Sequence, residues 1–94
     1  MREKELQARI IRLLKSNGAY VCKVNLSSRN GVPDLLCCIR GRFIGIEVKS
    51  KQNKPTPLQE FNLRKITQAG GVGVVVRNLK EVEDLLKQIG DKNG

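Results

Sequence analysis

The stretch GVPDLLCCIRGRFIGIEVKSK, residues 31–51, holds two apolar runs that read as adjacent buried strands, yet both carry charge: Asp34 in the first, Glu47 and Lys49 in the second. Gly41-Arg42 between them reads as a tight turn, which makes the pair a hairpin with strands over about Asp34–Arg40 and Phe43–Lys49. Side chains alternate along a strand, so Ile44, Ile46 and Val48 share one face and Phe43, Gly45, Glu47 and Lys49 the other. The first set is core. On the second face the small Gly45 is expected to leave room for something to approach. With Gly41 and Arg42 as a two-residue turn, Arg40 pairs with Phe43 and Asp34 falls directly across from Lys49. Glu47 is then the diagonal neighbour of Asp34.

On the N-terminal side, Leu6, Ile10, Leu13 and Leu14 recur at helical spacing over residues 3–16, and Asn17-Gly18 supplies a stop. Ala19–Leu26 reads as a strand that ends in the polar loop SSRNGVP. On the C-terminal side, the basic, proline-containing SKQNKPTPLQ delivers a helix over about 57–69, with Leu58, Phe61, Leu63 and Ile66 apolar. Val72–Val76 is a short apolar strand for which burial on both faces is expected. A last helix spans Leu79–Ile89, and the tail 90–94 is expected to fray. The result is an α/β chain of order α-β-β-β-α-β-α, a central sheet flanked by helices.

Ninety-four residues without an internal repeat or linker make one domain, 1–94, small enough that a self-association interface is a plausible source of added stability. No apolar run approaches the ~20 residues a membrane span needs, and no signal peptide is visible, so a cytoplasmic location is expected. The net charge of +9 calls for an anionic partner, for which nucleic acid is the commonest choice. Aromatic residues are only 3% of the chain, which favours contacts to backbone phosphates over stacking on bases. Cys22, Cys37 and Cys38 sit in apolar runs and read as small buried hydrophobes of a reducing compartment. The absence of His and of a Cys-x-x-Cys spacing argues against a structural zinc site.

An isolated Glu-x-Lys on a solvent-facing sheet would be a surface ion pair. Here Asp34 follows Pro33 and Gly31, so rigid backbone sets its position. Two neighbouring carboxylates repel, and a divalent cation is the usual remedy; oxygen donors without His favour Mg²⁺ or Mn²⁺.

These residues resemble the virus-type replication-repair nuclease (VRR-NUC) domain of the PD-(D/E)xK phosphodiesterase superfamily. GVPD (31–34) is similar to that family's strand-opening signature and IEVK (46–49) to its Glu-x-Lys strand. EKELQ (3–7) near the N-terminus, TPLQ (56–59) before the second helix and GGVGVVV (70–76) are similar to the family as well. The resemblance, which covers about Glu3 to Val76, implies a restriction-endonuclease-like mixed sheet and metal-dependent hydrolysis of DNA phosphodiesters. It implies that Asp34, Glu47 and the Val48 carbonyl hold Mg²⁺ or Mn²⁺, and that Lys49 either orients or deprotonates the attacking water or neutralises the phosphorane. The resemblance further implies that Gln59 positions water or Lys49 and that Glu3, with Glu5 as its alternative, adds an outer carboxylate supported by Gln7; the other reading of Glu3 is an ordinary first-turn acid that complements the helix dipole. Lys23, Asn25 and Arg29, with Ser27 and Ser28, and then Lys51 and Lys54, are candidate nucleic-acid contacts. A bare chain of this type resembles virus-encoded enzymes that act on branched DNA such as four-way junctions. For such an enzyme, located in the host cytoplasm if virus-encoded, two symmetric cuts imply a homodimer. A flap, fork or nicking nuclease, or a non-catalytic DNA-binding module of the same fold, is the alternative. No organic cofactor and no membrane partner are expected.

Overall fold

A computed structural model describes residues 1–90, so the expected fraying of the tail concerns mostly residues outside the described ones. The elements are α1 (Glu3–Ser16), β1 (Tyr20–Lys23), β2 (Leu35–Ile39), β3 (Arg42–Val48), α2 (Pro57–Gln68), β4 (Val72–Val76) and α3 (Leu79–Ile89). The strands form one mixed sheet in chain order, β1-β2-β3-β4, with β1, β2 and β3 antiparallel in turn and β4 parallel to β3. The element order along the chain, α-β-β-β-α-β-α, is the one read from periodicity.

One face of the sheet carries the core. Leu35, Cys37, Ile39, Ile44, Ile46, Val48 and Val76 meet Leu6, Ile10 and Leu14 of α1 and Val82, Leu85 and Leu86 of α3. The i, i+4, i+8 spacing of the α1 set and the 82/85/86 set of α3 put one stripe of each helix on the sheet. The other face receives α2, which starts with a reciprocal cap: the Thr56 hydroxyl accepts from the Gln59 N–H at 3.1 Å and Gln59 Oε1 from the Thr56 N–H at 2.8 Å. Of α2, only Asn62 and Leu63 are buried.

Five expectations are corrected. The hairpin turn is Arg40-Gly41, not Gly41-Arg42, so that Ile39 pairs with Arg42 and Leu35 with Ile46. The two-residue turn needs positive φ at both positions and favours Gly at the second; Arg40 has φ 53° and Gly41 φ 78°. Arg40 is held in that conformation by its guanidinium, which donates to the Leu86 and Gly90 carbonyls at the end of α3, both at 3.0 Å. The offset is even, so every side chain keeps its face, but Asp34 moves level with Glu47 instead of Lys49.

The strand expected over Ala19–Leu26 stops at Lys23. Val24 N–H still reaches the Asp34 carbonyl, but the next position lies opposite Pro33, which has no N–H to offer, and Leu26 is 95% exposed. Strand β4 is half-buried, not buried on both faces, because it is a sheet edge; Val76 alone of its residues is fully buried. Of the cysteines only Cys37 is buried, and burial pushes its thiol up to about 11; Cys22 and Cys38 are exposed free thiols on the opposite face. Gly45 opens no path for a ligand: a Cβ there would lie 2.5 Å from Ile66 Cδ1 and 3.1 Å from Pro33 Cγ, so the space is used by α2.

Candidate active site

Asp34 is delivered by the loop 24–34, and that loop is tied to α2. Asn62 Nδ2 donates to the Asn30 carbonyl at 3.0 Å and to Leu58 O at 2.9 Å, while Gly31 packs so closely on Leu58 and Asn62 that a Cβ would clash. Pro33 then fixes the direction of the chain. The Asp34 carboxylate bridges to β3, its Oδ2 accepting from the Val48 N–H at 2.9 Å. In a strand the N–H and C=O of one residue point to the same side, so the Val48 carbonyl also faces the Asp34 side of β3.

Glu47, next to the last residue of β3, is 1% exposed. Its Oε2 lies 3.5 Å from Lys49 Nζ, and its Oε1 is buried with no hydrogen-bond partner. Burial first, and the negative charge of Asp34 second, push its carboxyl up to about 7, against the opposing pull of Lys49. A buried acceptor without a donor, beside a second carboxylate and a strand carbonyl, is an oxygen donor set that a hard divalent cation would satisfy. Among the described residues no group of three or more His, Cys, Asp or Glu is placed to hold a metal, so the fit rests on two side chains and backbone.

The remaining expected residues divide by distance from this centre. Glu3 Oε2 accepts from Ser50 Oγ at 3.3 Å and Asn53 Nδ2 at 3.1 Å, which brings the start of α1 onto the loop leaving β3; Glu5 is exposed. Gln7, one turn further along α1, has a buried Oε1 without a partner. Gln59 spends its carbonyl oxygen on the α2 cap. Lys51 and Lys54 are exposed on the loop after β3. Lys23 ends β1, whereas Asn25 lies beyond the strand and not on a shared strand face with it. Arg29 lines a groove beside α2, together with Ser27.

Two supporting residues escaped the sequence reading. Arg77 donates to the Lys51 and Asn53 carbonyls at 2.9 and 2.7 Å and so pins the loop that follows Lys49. Asn62 holds the loop that precedes Asp34. Asn62 had a visible sign, since it occupies the i+4 position between apolar Leu58 and Ile66 where a core residue belongs. Arg77 had none, because a base after a strand is ordinary.

An α/β fold with an Asp at one strand start and Glu-x-Lys on the neighbouring strand is of the nuclease type. A solved structure described as "VRR_NUC domain" superposes with a TM-score of 0.79 at 30% identity, over 90% of this chain and 94% of that one. A second, "VRR_NUC domain protein", shares the fold at a TM-score of 0.78 and 20% identity, over 97% and 92% of the two chains. No family model matches the chain, and no curated protein does. The chain belongs to the VRR-NUC domain family.

Proposed function

We propose that this single domain is a divalent-metal-dependent endodeoxyribonuclease that cuts branched DNA, four-way junctions foremost, as a two-fold dimer. The observation that carries the catalytic part is the buried, unpartnered Glu47 oxygen beside Asp34 and 3.5 Å from Lys49 at its other oxygen. A structural ion pair would leave no such acceptor open.

Asp34, Glu47 and the Val48 carbonyl would hold Mg²⁺ or Mn²⁺. When bound, the cation supplies Lewis acidity at a phosphate oxygen and acidifies water. Lys49 orients the attacking water, or takes its proton when neutral, and its ammonium form offsets charge developing on the phosphate. Gln59 retains its amide N–H₂ group for water, Glu3 steadies the loop beyond Lys49, and Gln7 supports it from the next turn of α1. Lys23, Asn25, Arg29, Lys51 and Lys54 contact the DNA. Branched substrate and dimer rest on the chain's small size and basic charge and on the symmetry of a junction.

The test is cleavage of matched four-way, flap, duplex and single-stranded DNA in Mg²⁺ and in Mn²⁺. Asp34→Ala, Glu47→Ala and Lys49→Ala are each expected to lose ~100-fold or more, as removal of an electrostatic catalytic group does. The wild type should sediment at twice its 10.5 kDa chain mass. Full cleavage by any of the three variants would refute the site; a monomer that prefers flaps or nicks duplex would refute the junction assignment alone.

A further inference from the structure

The three aromatic residues of the chain are all exposed: Tyr20 77%, Phe43 47% and Phe61 41%. Rings are costly to leave in water and are ordinarily core residues. Two of them share a row, because Tyr20 and Phe43 both pair with Cys38 across the sheet and so lie on one face. That is the face of Asp34, Glu47 and α2. Over β3 and β4 the face is covered by α2, whereas over β1 and β2 no helix of the described residues covers it, and Cys22 and Cys38 are exposed there.

Between this part and α2 runs an open groove of about 650 Å³, of the size of ordinary ligand sites. Its floor is Pro33, Leu36, Phe43 and Ile66, and its rim includes Arg29 and Lys65. One end starts at Pro33, the residue before Asp34. Phe43 stands four residues along β3 from Glu47, about 13 Å at strand spacing, or about four steps of a stacked nucleic-acid strand.

We infer that this groove takes an unstacked nucleotide of the substrate a few steps from the cut phosphate, its base on Phe43 and its phosphates on Arg29 and Lys65. An apolar floor with a π-face, rimmed by cations, matches a base attached to phosphates and fits single strand better than closed duplex. The cations on the rim, Arg29 and Lys65, favour an anionic occupant over an uncharged apolar one. This rests on the reading of the protein as a DNA nuclease and adds that it engages unpaired nucleotides, such as those at a branch point.

The experiment is a binding cycle without divalent cation, so that no cutting occurs, read by anisotropy of a labelled single strand. An abasic residue is moved one position at a time along the strand, with wild type, Phe43→Ala and Gln68→Ala, the last an exposed α2 residue outside the groove. One or two positions should lower wild-type affinity by about 5- to 100-fold, the range for loss of one stacked base. Phe43→Ala should show the same loss on the intact strand and no further loss at those positions, while Gln68→Ala behaves as wild type. Unchanged affinity of Phe43→Ala, or an abasic penalty that persists undiminished in it, overturns the assignment. Glu47→Ala separates the two readings: loss of cutting with an intact Phe43 cycle supports both, and loss of cutting with no Phe43 effect sinks only the groove.

Discussion

Glu47 is a carboxylate that the fold holds at a disadvantage. Burial and Asp34 raise its pKa from 4.5 to about 7. A folded-state value above the unfolded one means the native state binds the extra proton, so the stabilising contribution is full below about 4.5 and is lost as the pH rises through about 7. In metal-free buffer the wild type should therefore lose melting temperature between pH 5 and 8 relative to Glu47→Gln, which cannot ionise. A gap of roughly 4–8 °C would correspond to each kcal/mol for a domain of this size. Added Mg²⁺ or Mn²⁺ at pH 8 should raise the wild type and leave Glu47→Gln nearly unmoved. Parallel pH profiles for the two proteins would show that Glu47 is not held in this way. Glu47 and Lys49 share a face by period-two alternation alone, and Asp34 keeps that face because the register differs from the expected one by an even number. What was not legible was whether Asp34 stands level with Lys49 or with Glu47, since that depends on Arg40 adopting a left-handed conformation that its own sequence does not advertise.

Helix α2 is the element that joins the site to the rest of the sheet. It lies so close to β4 that a Cβ on Gly73 would strike the Leu63 backbone, and the Gly73 N–H donates to Thr67 Oγ1 at 3.1 Å. Backbone cannot step aside as a side-chain tip can. Gly73→Ala should cost about 1–3 kcal/mol or more, seen as a drop in melting temperature. It should also lower cutting, because a displaced α2 carries Asn62 and hence the Asn30 carbonyl and the Asp34 loop with it. Wild-type stability in Gly73→Ala would show that the contact is slack. The existence and type of all seven elements could be read from periodicity. The misjudged features, β1's early end, the half-exposed β4 and the filled space over Gly45, all depend on what lies across from a residue in space: Pro33 opposite the end of β1, water at a sheet edge, Ile66 over Gly45.

For the whole molecule the governing quantity is charge. Eighteen Lys and Arg against nine Asp and Glu predict binding dominated by phosphate contacts and counterion release. Affinity for DNA should fall by about 10³ or more between 50 and 200 mM salt if six or more phosphates are engaged, as titration at stepped salt would read directly. A flat response would contradict a phosphate-tracking surface. The spatial order of the strands, which is simply their order along the chain, has a different consequence, for the way the molecule folds. No strand has to thread between two others already paired, and the β2-β3 hairpin can close through its own two-residue turn before the more distant β4 is added. Asp34 and Glu47 belong to that one hairpin, so the two like charges are driven together as soon as it zips. A proton on Glu47 would relieve that repulsion at the open end of the hairpin, so pairing of the first residues of β2 with the last of β3 should be easier at low pH than at high.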